Sequence, residues 1–359
     1  MDRIMFITYS MGFGGAERVI SLLSNQMIQS GIKVEILVQK NLAHSYSISK
    51  EISVIAIEKD IGKHRNSLLN RVIRIRSEIK KFRPDCIVSF VSDLNSLLSV
   101  LGTKNKLIIS ERFDPAKTHS SYIRMIRNVL YPLASGYVFQ TEGAKQYFDR
   151  ILKKKEKKII INNPLNKDLP YHFAGPDDRS LIAANRLENK QKNITLMIDA
   201  VEKLNMEGEM CRLRIFGEGP DKDMLQNYIN DKKMDQFIEL KGFSTNIHEE
   251  IAQSTAFLIS SNYEGVSNSM LEALAIGTPV ISTDSSPGGA RTFITNGING
   301  FLVPVGDVER FAAAIKWVLN NPGKAKEIGS KATRIRDELD SEKIAKKWLE
   351  FIEEVIGDR

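Results

Sequence analysis

Only two cysteines occur in 359 residues, which excludes a disulfide framework. Cys86 lies inside "DCIVSF" and Cys211 precedes "RLRIF"; both strand-like runs suit small buried hydrophobes, so both are expected as reduced core thiols. The five histidines, at 44, 64, 119, 172 and 248, show no ligand spacing, and no metal site is expected. No apolar run approaches the roughly eighteen residues that cross a bilayer. The N-terminal "MDRIMFITYS" alternates and carries early charge instead of an apolar leader, so the expectation is a cytoplasmic chain. Short-period repeats and low-complexity tracts are absent too, which excludes a solenoid. What remains, 42% hydrophobic and 26% charged, is ordinary soluble composition.

The net charge of +7 conceals an asymmetry: residues 1–165 hold 27 Lys/Arg against 14 Asp/Glu, whereas the rest holds 24 against 30. The basic half concentrates its charge in "HRNSLLNRVIRIRSEIKKFR" (64–83), "SYIRMIRNVLYPLA" (121–134) and "RILKKKEKK" (150–158). Any one such run also fits a solvated face. Aromatic residues are sparse in them and no nucleic-acid motif appears, so an anionic membrane surface, and no nucleic acid, is the expected partner.

Short β-branched runs alternate with helix-length segments from the start, beginning "RIMFITY", "AERVISLLSNQMIQSG", "KVEILVQ". Further runs at "SVIAI", "CIVSF", "KLIIS", "GYVFQ" and "KIIIN" imply a parallel, doubly wound α/β sheet. Prolines, glycines, asparagines and aspartates cluster in "NNPLNKDLPYHFAGPDDRS" (162–180), after which the alternation restarts with "SLIAA", "RLRIFG", "FIELKG", "AFLIS", "PVIST" and "GFLVP". The expectation is a Rossmann-like domain over 1–165, a second over 166–340, and a helix over 341–359 packing back toward the first. Two such halves facing each other would form a cleft beyond their strand ends.

After "AFLIS" comes "SNYEGVSN", then "SMLEALAIG", a helix that Gly277 ends. Ser267 or Asn268 can cap that helix, whose first N–H groups then form an anion site. Gly265 lets backbone approach closely. Glu264 and Glu272 are poor phosphate ligands but good hydroxyl acceptors, suited to a sugar on one side and a ribose on the other. "AANRLENKQKN" (183–193) supplies Arg186, Lys190 and Lys192 to neutralise a diphosphate. "FGEGP" adds a tight turn at Gly217, and "KGFSTN" a loop with Phe243 suited to a flat base edge.

In the first half, "MGFGGAERV" opens a helix with Gly14 and Gly15 but is not a full G-x-G-x-x-G, and Glu35 lies within the alternation of "KVEILV". A dinucleotide site is therefore disfavoured. The loop is expected to meet a donor diphosphate, or with Glu17 an acceptor. Glu111 and Arg112 follow "KLIIS" and Asp93 follows "CIVSF"; these are acceptor-side candidates, with structural ion pairing the alternative for Glu111 and Arg112.

Across essentially its full length the chain resembles the retaining GT-B glycosyltransferases of family 4. The resemblance is carried by "GGAER" (14–18), "NRL…QKN" (185–193), "GEGP" (217–220), "EGVSNSMLE" (264–272), "GTPVISTDSSPGG" and "NGINGFLV". It implies Arg186 and Lys192 on a nucleotide diphosphate, Glu264 near donor-sugar hydroxyls, Glu272 on the ribose, and the turn of Val266, Ser267, Asn268 and Ser269 on the phosphates. Arg186, Lys192 and Glu264 would then be catalytic. The family usually spaces its arginine and lysine by five positions; here Lys190 comes at four and Lys192 at six, leaving the choice open. Asn185 stands at a common glycine, Arg112 at a frequent histidine, and Thr292 at a frequent acidic residue.

The resemblance implies transfer, with retention, of a hexose or N-acetylhexosamine from a UDP-sugar to a saccharide acceptor linked to undecaprenyl diphosphate. UDP-sugar is then a substrate, and no cofactor or metal is expected. The subset resembled builds bacterial surface polysaccharides, which would place the enzyme peripherally at the inner face of the cytoplasmic membrane. The alternative is a nucleotide-sugar 2-epimerase of the same double Rossmann architecture.

Overall fold

The computed structural model describes residues 1–12, 15–39, 46–57, 68–90, 94–117, 120–152, 156–173 and 179–357. They form two compact units, one of Met1–Asn166 with Leu339–Arg359, the other of Lys167–Glu338. Every strand-like run quoted above forms a strand. In the first unit these are β1 (Arg3–Thr8), β2 (Lys33–Val38), β3 (Ser53–Ala56), β4 (Cys86–Ser89), β5 (Lys106–Ser110), β6 (Gly136–Phe139) and β7 (Lys157–Ile160). All pair in parallel in the order β3-β2-β1-β4-β5-β6-β7. Parallel strands covered by helices on both faces must be apolar on both faces, and β1 is buried from Ile4 through Thr8.

The second unit holds β8 (Ser180–Ala184), β9 (Arg212–Phe216), β10 (Ile238–Gly242), β11 (Ala256–Ile259), β12 (Val280–Thr283) and β13 (Phe301–Val303). They are again parallel, in the order β10-β9-β8-β11-β12-β13. The order reverses direction between β8 and β11, the place where a doubly wound sheet opens a crevice at its carboxyl edge. Leu181, Leu213, Ile215 and Leu258 of this sheet pack with Ile194, Met197 and Val201 of helix Ile194–Met206 and with Phe311 and Ile315 of helix Val308–Asn320.

Helix Ser341–Gly357 belongs to the first unit. Its buried stripe is Ile344, Ala345, Trp348, Phe351, Ile352 and Val355, a helical period. Trp348 is wholly buried and stacks on Phe90 at 5.7 Å between ring centres. The helix lies so close to β6 that a Cβ on Gly136 would sit 2.8 Å from Val355 Cγ2.

Glu35, in the middle of β2, is a buried carboxylate whose Oε1 makes no hydrogen bond among the described residues. Burial, reinforced by Glu78, pushes its pKa from the ordinary 4.5 up to about 7. Between those values the folded state keeps a proton that the unfolded state releases, so this group's contribution to stability is greatest below pH 4.5 and is lost as pH rises to about 7. Glu35→Gln removes this titration. In urea denaturation series its stability gain over the parent should grow from pH 4.5 to pH 8 by on the order of 2–3 kcal/mol; a gain that does not vary with pH would place the titration elsewhere.

Candidate functional site

The carboxyl ends of β8 and β11 flank the reversal of the second sheet, and the loops leaving them are laced together. Asn262 N donates to Gln191 O at 2.8 Å, Asn262 Nδ2 to Lys190 O at 3.1 Å, and Ser260 Oγ to Lys192 O at 2.7 Å. The short helix Asn189–Lys192 is thereby held against the loop that leads from β11 to Glu264. Asp221 anchors its start by accepting from Asn189 N at 2.6 Å. Asp221 and Asp223 form an Asp-x-Asp, and this contact gives Asp221 a structural task.

Lys192 and Glu264 meet as a hydrogen-bonded ion pair, both largely buried. Ser261 Oγ donates to the same Glu264 oxygen at 3.1 Å. Beside the pair begins helix Asn268–Ile276. Ser267 caps it, its Oγ accepting from Met270 N, and Ser269 Oγ reaches back to Ala184 O at 2.9 Å, fixing the helix tip at the end of β8. Gly277, with φ 93°, ends the helix in the left-handed region. The turn before the cap packs directly on the backbone of Gly289. A Cβ on Gly289 would lie 1.5 Å from the carbonyl oxygen of Gly265 and 3.2 Å from Val266 Cα, while Glu264 N donates to Ser286 O at 2.9 Å.

Glu272 is buried in the second turn of that helix, and its Oε2 lies 3.3 Å from Nε2 of His248 on helix Ile247–Ala252. Sequence reasoning passed over His248 because nothing in its neighbourhood suggests a ligand. Its proximity to Glu272 arises only from packing of the two helices that flank β11. Gly217, with φ 130°, would place a Cβ 1.9 Å from Asn185 O, and Gly219 would place one 2.3 Å from Leu187 O. The "FGEGP" loop therefore lies backbone to backbone on the loop bearing Arg186. Phe243 is exposed beyond β10.

The structure thus brings Lys192, Glu264, Ser267, Ser269 and the Gly265–Val266 turn together, with Glu272 one turn deeper. Arg186 shares the loop after β8 but stays 69% exposed, its Nε 3.6 Å from Glu188 Oε2. Lys190 faces solvent. A helix tip beside a lysine and an arginine can hold an anion, and the carboxylates can accept hydroxyls.

In the first unit, Gly15 begins helix Gly15–Gln29, and Glu17 in its first turn accepts from Ser10 Oγ at 2.9 Å. Glu111 and Arg112 lie inside the unit instead of at its surface. Glu111 accepts from Tyr131 Oη at 2.5 Å. Arg112 is 7% exposed, stacks its guanidinium 4.2 Å from the centre of the Phe90 ring and donates to Asn163 Oδ1 at 2.5 Å. Burial lowers the Arg112 pKa to about 9. Gly14 and Asp93 lie outside the described residues.

Two parallel-sheet α/β units of this kind define the GT-B fold. Anabaena HepE, solved in complex with UDP and glucose, superposes with a TM-score of 0.82 at 16% identity over 99% of this chain and 100% of its own. Residues 167–335 match the family described as Glycosyl transferases group 1, nearly the whole second unit. A Campylobacter jejuni alpha-1,4-N-acetyl-D-galactosaminyltransferase acting on GalNAc-alpha-(1->4)-GalNAc-alpha-(1->3)-diNAcBac-PP-undecaprenol is 24% identical, with 99% of each chain covered. A second enzyme of that bacterium, N-acetylgalactosamine-N,N'-diacetylbacillosaminyl-diphospho-undecaprenol 4-alpha-N-acetylgalactosaminyltransferase, is 25% identical over 98% of this chain and 100% of its own. Together these findings support a glycosyltransferase enzyme.

Gly289→Ala should show how tightly the turn is set. The new methyl must push the Gly265 carbonyl aside, and the expected cost is about 1–3 kcal/mol, seen as a drop in Tm. Unchanged Tm would mean that the two loops are free to part.

Proposed function

We propose that this enzyme moves a hexose or N-acetylhexosamine from a UDP-sugar to a hydroxyl of a saccharide carried on a lipid diphosphate, with retention at the anomeric carbon. The observation that carries this reading is the Lys192–Glu264 pair set beside a capped helix tip at the sheet reversal. A diphosphate entering there meets the helix N–H groups, Lys192 and, by rotation of its exposed side chain, Arg186. Glu264, released from Lys192 by the incoming anion, is free to accept donor-sugar hydroxyls, and Glu272 takes those of the ribose. The UDP bound to HepE and the undecaprenyl-linked substrates of the Campylobacter enzymes favour this donor and acceptor class.

In the proposed step the acceptor oxygen forms a bond to the anomeric carbon as the bond from that carbon to the β-phosphate oxygen breaks. The acceptor proton passes to the departing phosphate on the same face, giving UDP and the lengthened glycan. Negative charge grows on the phosphate, where Lys192, Arg186 and the helix tip stabilise it. Because these cations do the neutralising, turnover proceeds without a divalent ion. The lipid-linked acceptor would place the enzyme at the inner face of the cytoplasmic membrane. The epimerase alternative finds no support in the relatives described.

UDP titration and UDP-sugar turnover test the assignment. Glu272→Ala should weaken UDP binding about tenfold, the loss of one or two hydroxyl contacts. Lys192→Met should lower kcat roughly a hundredfold, and EDTA should leave the parent rate unchanged. Parent-like UDP affinity in Glu272→Ala would overturn the ribose assignment. An epimerised donor sugar, with no UDP released, would overturn transfer itself.

A further inference from the structure

Helix Ser121–Leu130 of the first unit is built inside out. Its core-facing side carries Arg127, 1% exposed, whose guanidinium lies 4.9 Å from the Phe148 ring centre and donates to Pro115 O at 3.3 Å. Its outer side presents Tyr122, Met125 and Val129, which are 68%, 58% and 73% exposed, with Ile123 and, just beyond the helix, Leu133 also exposed. Spacings of three and seven put the first three on one stripe. A soluble helix ordinarily turns these two sides the other way, and a contiguous exposed apolar patch marks an interaction site.

Two neighbouring elements also expose apolar side chains. Helix Leu94–Val100 packs between helix Ser121–Leu130 and helix Leu68–Phe82, so the three form one layer of the first unit. The outer member exposes Leu68, Leu69 and Ile73, and Leu101 is exposed at the end of the middle one. Charge selects the occupant. Apart from the buried Arg127, residues 115–141 contain the exposed Lys117 and the half-buried Arg124 and not one Asp or Glu; residues 68–77 contain Arg71, Arg74 and Arg76, all half-buried, and again no acid. A second copy docked on this face would bring like charges together, whereas an anionic bilayer offers hydrocarbon for the side chains and phosphate for the cations.

We propose that this helical layer is a membrane-docking face, with Tyr122, Met125 and Val129 entering the outer part of an anionic phospholipid leaflet. The purpose of the face rests on the lipid-linked acceptor proposed above, but docking itself can be measured without turnover. The three side chains are already exposed, so replacing them leaves the core intact, and none of them is among the proposed donor-binding residues.

Flotation with phosphatidylcholine vesicles containing or lacking phosphatidylglycerol, at low salt and at 0.5 M NaCl, tests this. The parent should float with the phosphatidylglycerol vesicles and retain part of that binding at high salt, which screening abolishes for charge alone. The variant Tyr122→Ser/Met125→Ser/Val129→Ser, checked for parent-like Tm, should lose tenfold or more in vesicle affinity while hydrolysing UDP-sugar as the parent does. Parent-like flotation of the variant would overturn the proposal, as would failure of the parent to float. A parent that is dimeric by light scattering and a variant that is monomeric would assign the face to self-association and overturn it too. Flotation of a parent that neither binds nor hydrolyses UDP-sugars would leave the docking face standing and remove the transferase reading instead.

Discussion

Contact between main chains, with no side chain interposed, governs the second unit's carboxyl edge. Gly289 touches the Gly265 carbonyl, Gly217 the Asn185 carbonyl and Gly219 the Leu187 carbonyl. Loops packed in this way cannot slide, because nothing compressible lies between them. The helix tip at Ser267, the short helix carrying Lys192 and the loop carrying Arg186 are therefore held in fixed register with the ends of β8 and β11. Preorganisation of this kind would spare the anion proposed above the cost of ordering its own cradle.

Both carboxylates of the cradle have partners before anything binds. Lys192 satisfies Glu264, and Glu272 faces His248. A bare lysine in a largely buried place carries a desolvation penalty, and an internal carboxylate reduces it. In the proposed function, an anion that displaced Glu264 from Lys192 would take over the cation and free an acceptor for hydroxyls. The selectivity of the cradle would then depend on a ligand that has both groups, phosphate and alcohol, at the right separation.

Much of this was legible in the sequence. The strands were, because a sheet covered on both faces needs unbroken apolar runs, as in "IMFI" of β1 and "AFLI" of β11. Helix Asn268–Ile276 was, because a serine cap and a glycine stop bracket it. The different surroundings of the two lysines were not: Lys190 and Lys192 fall within one short turn, and only its packing against the loop from Ser260 to Glu264 sets Lys192 on Glu264 while Lys190 stays exposed. The burial of Glu111 and Arg112 was also hidden. The end of a strand predicts an open position, yet β5 lies between β4 and β6, and Tyr131, Phe90 and Trp348 cover its end. Trp348 comes from the far side of the second unit in sequence, a contact that no local pattern announces.

That same helix, Ser341–Gly357, has a bearing on how the molecule is made. It supplies Trp348, Phe351 and Ile352 to a core whose other members precede the whole second unit in the chain. During synthesis the first unit must wait, with Phe90 uncovered, until more than a hundred and seventy intervening residues have emerged from the ribosome. The later-made unit has all its own strands in one uninterrupted stretch and can mature first, so the order of folding need not follow the order of translation.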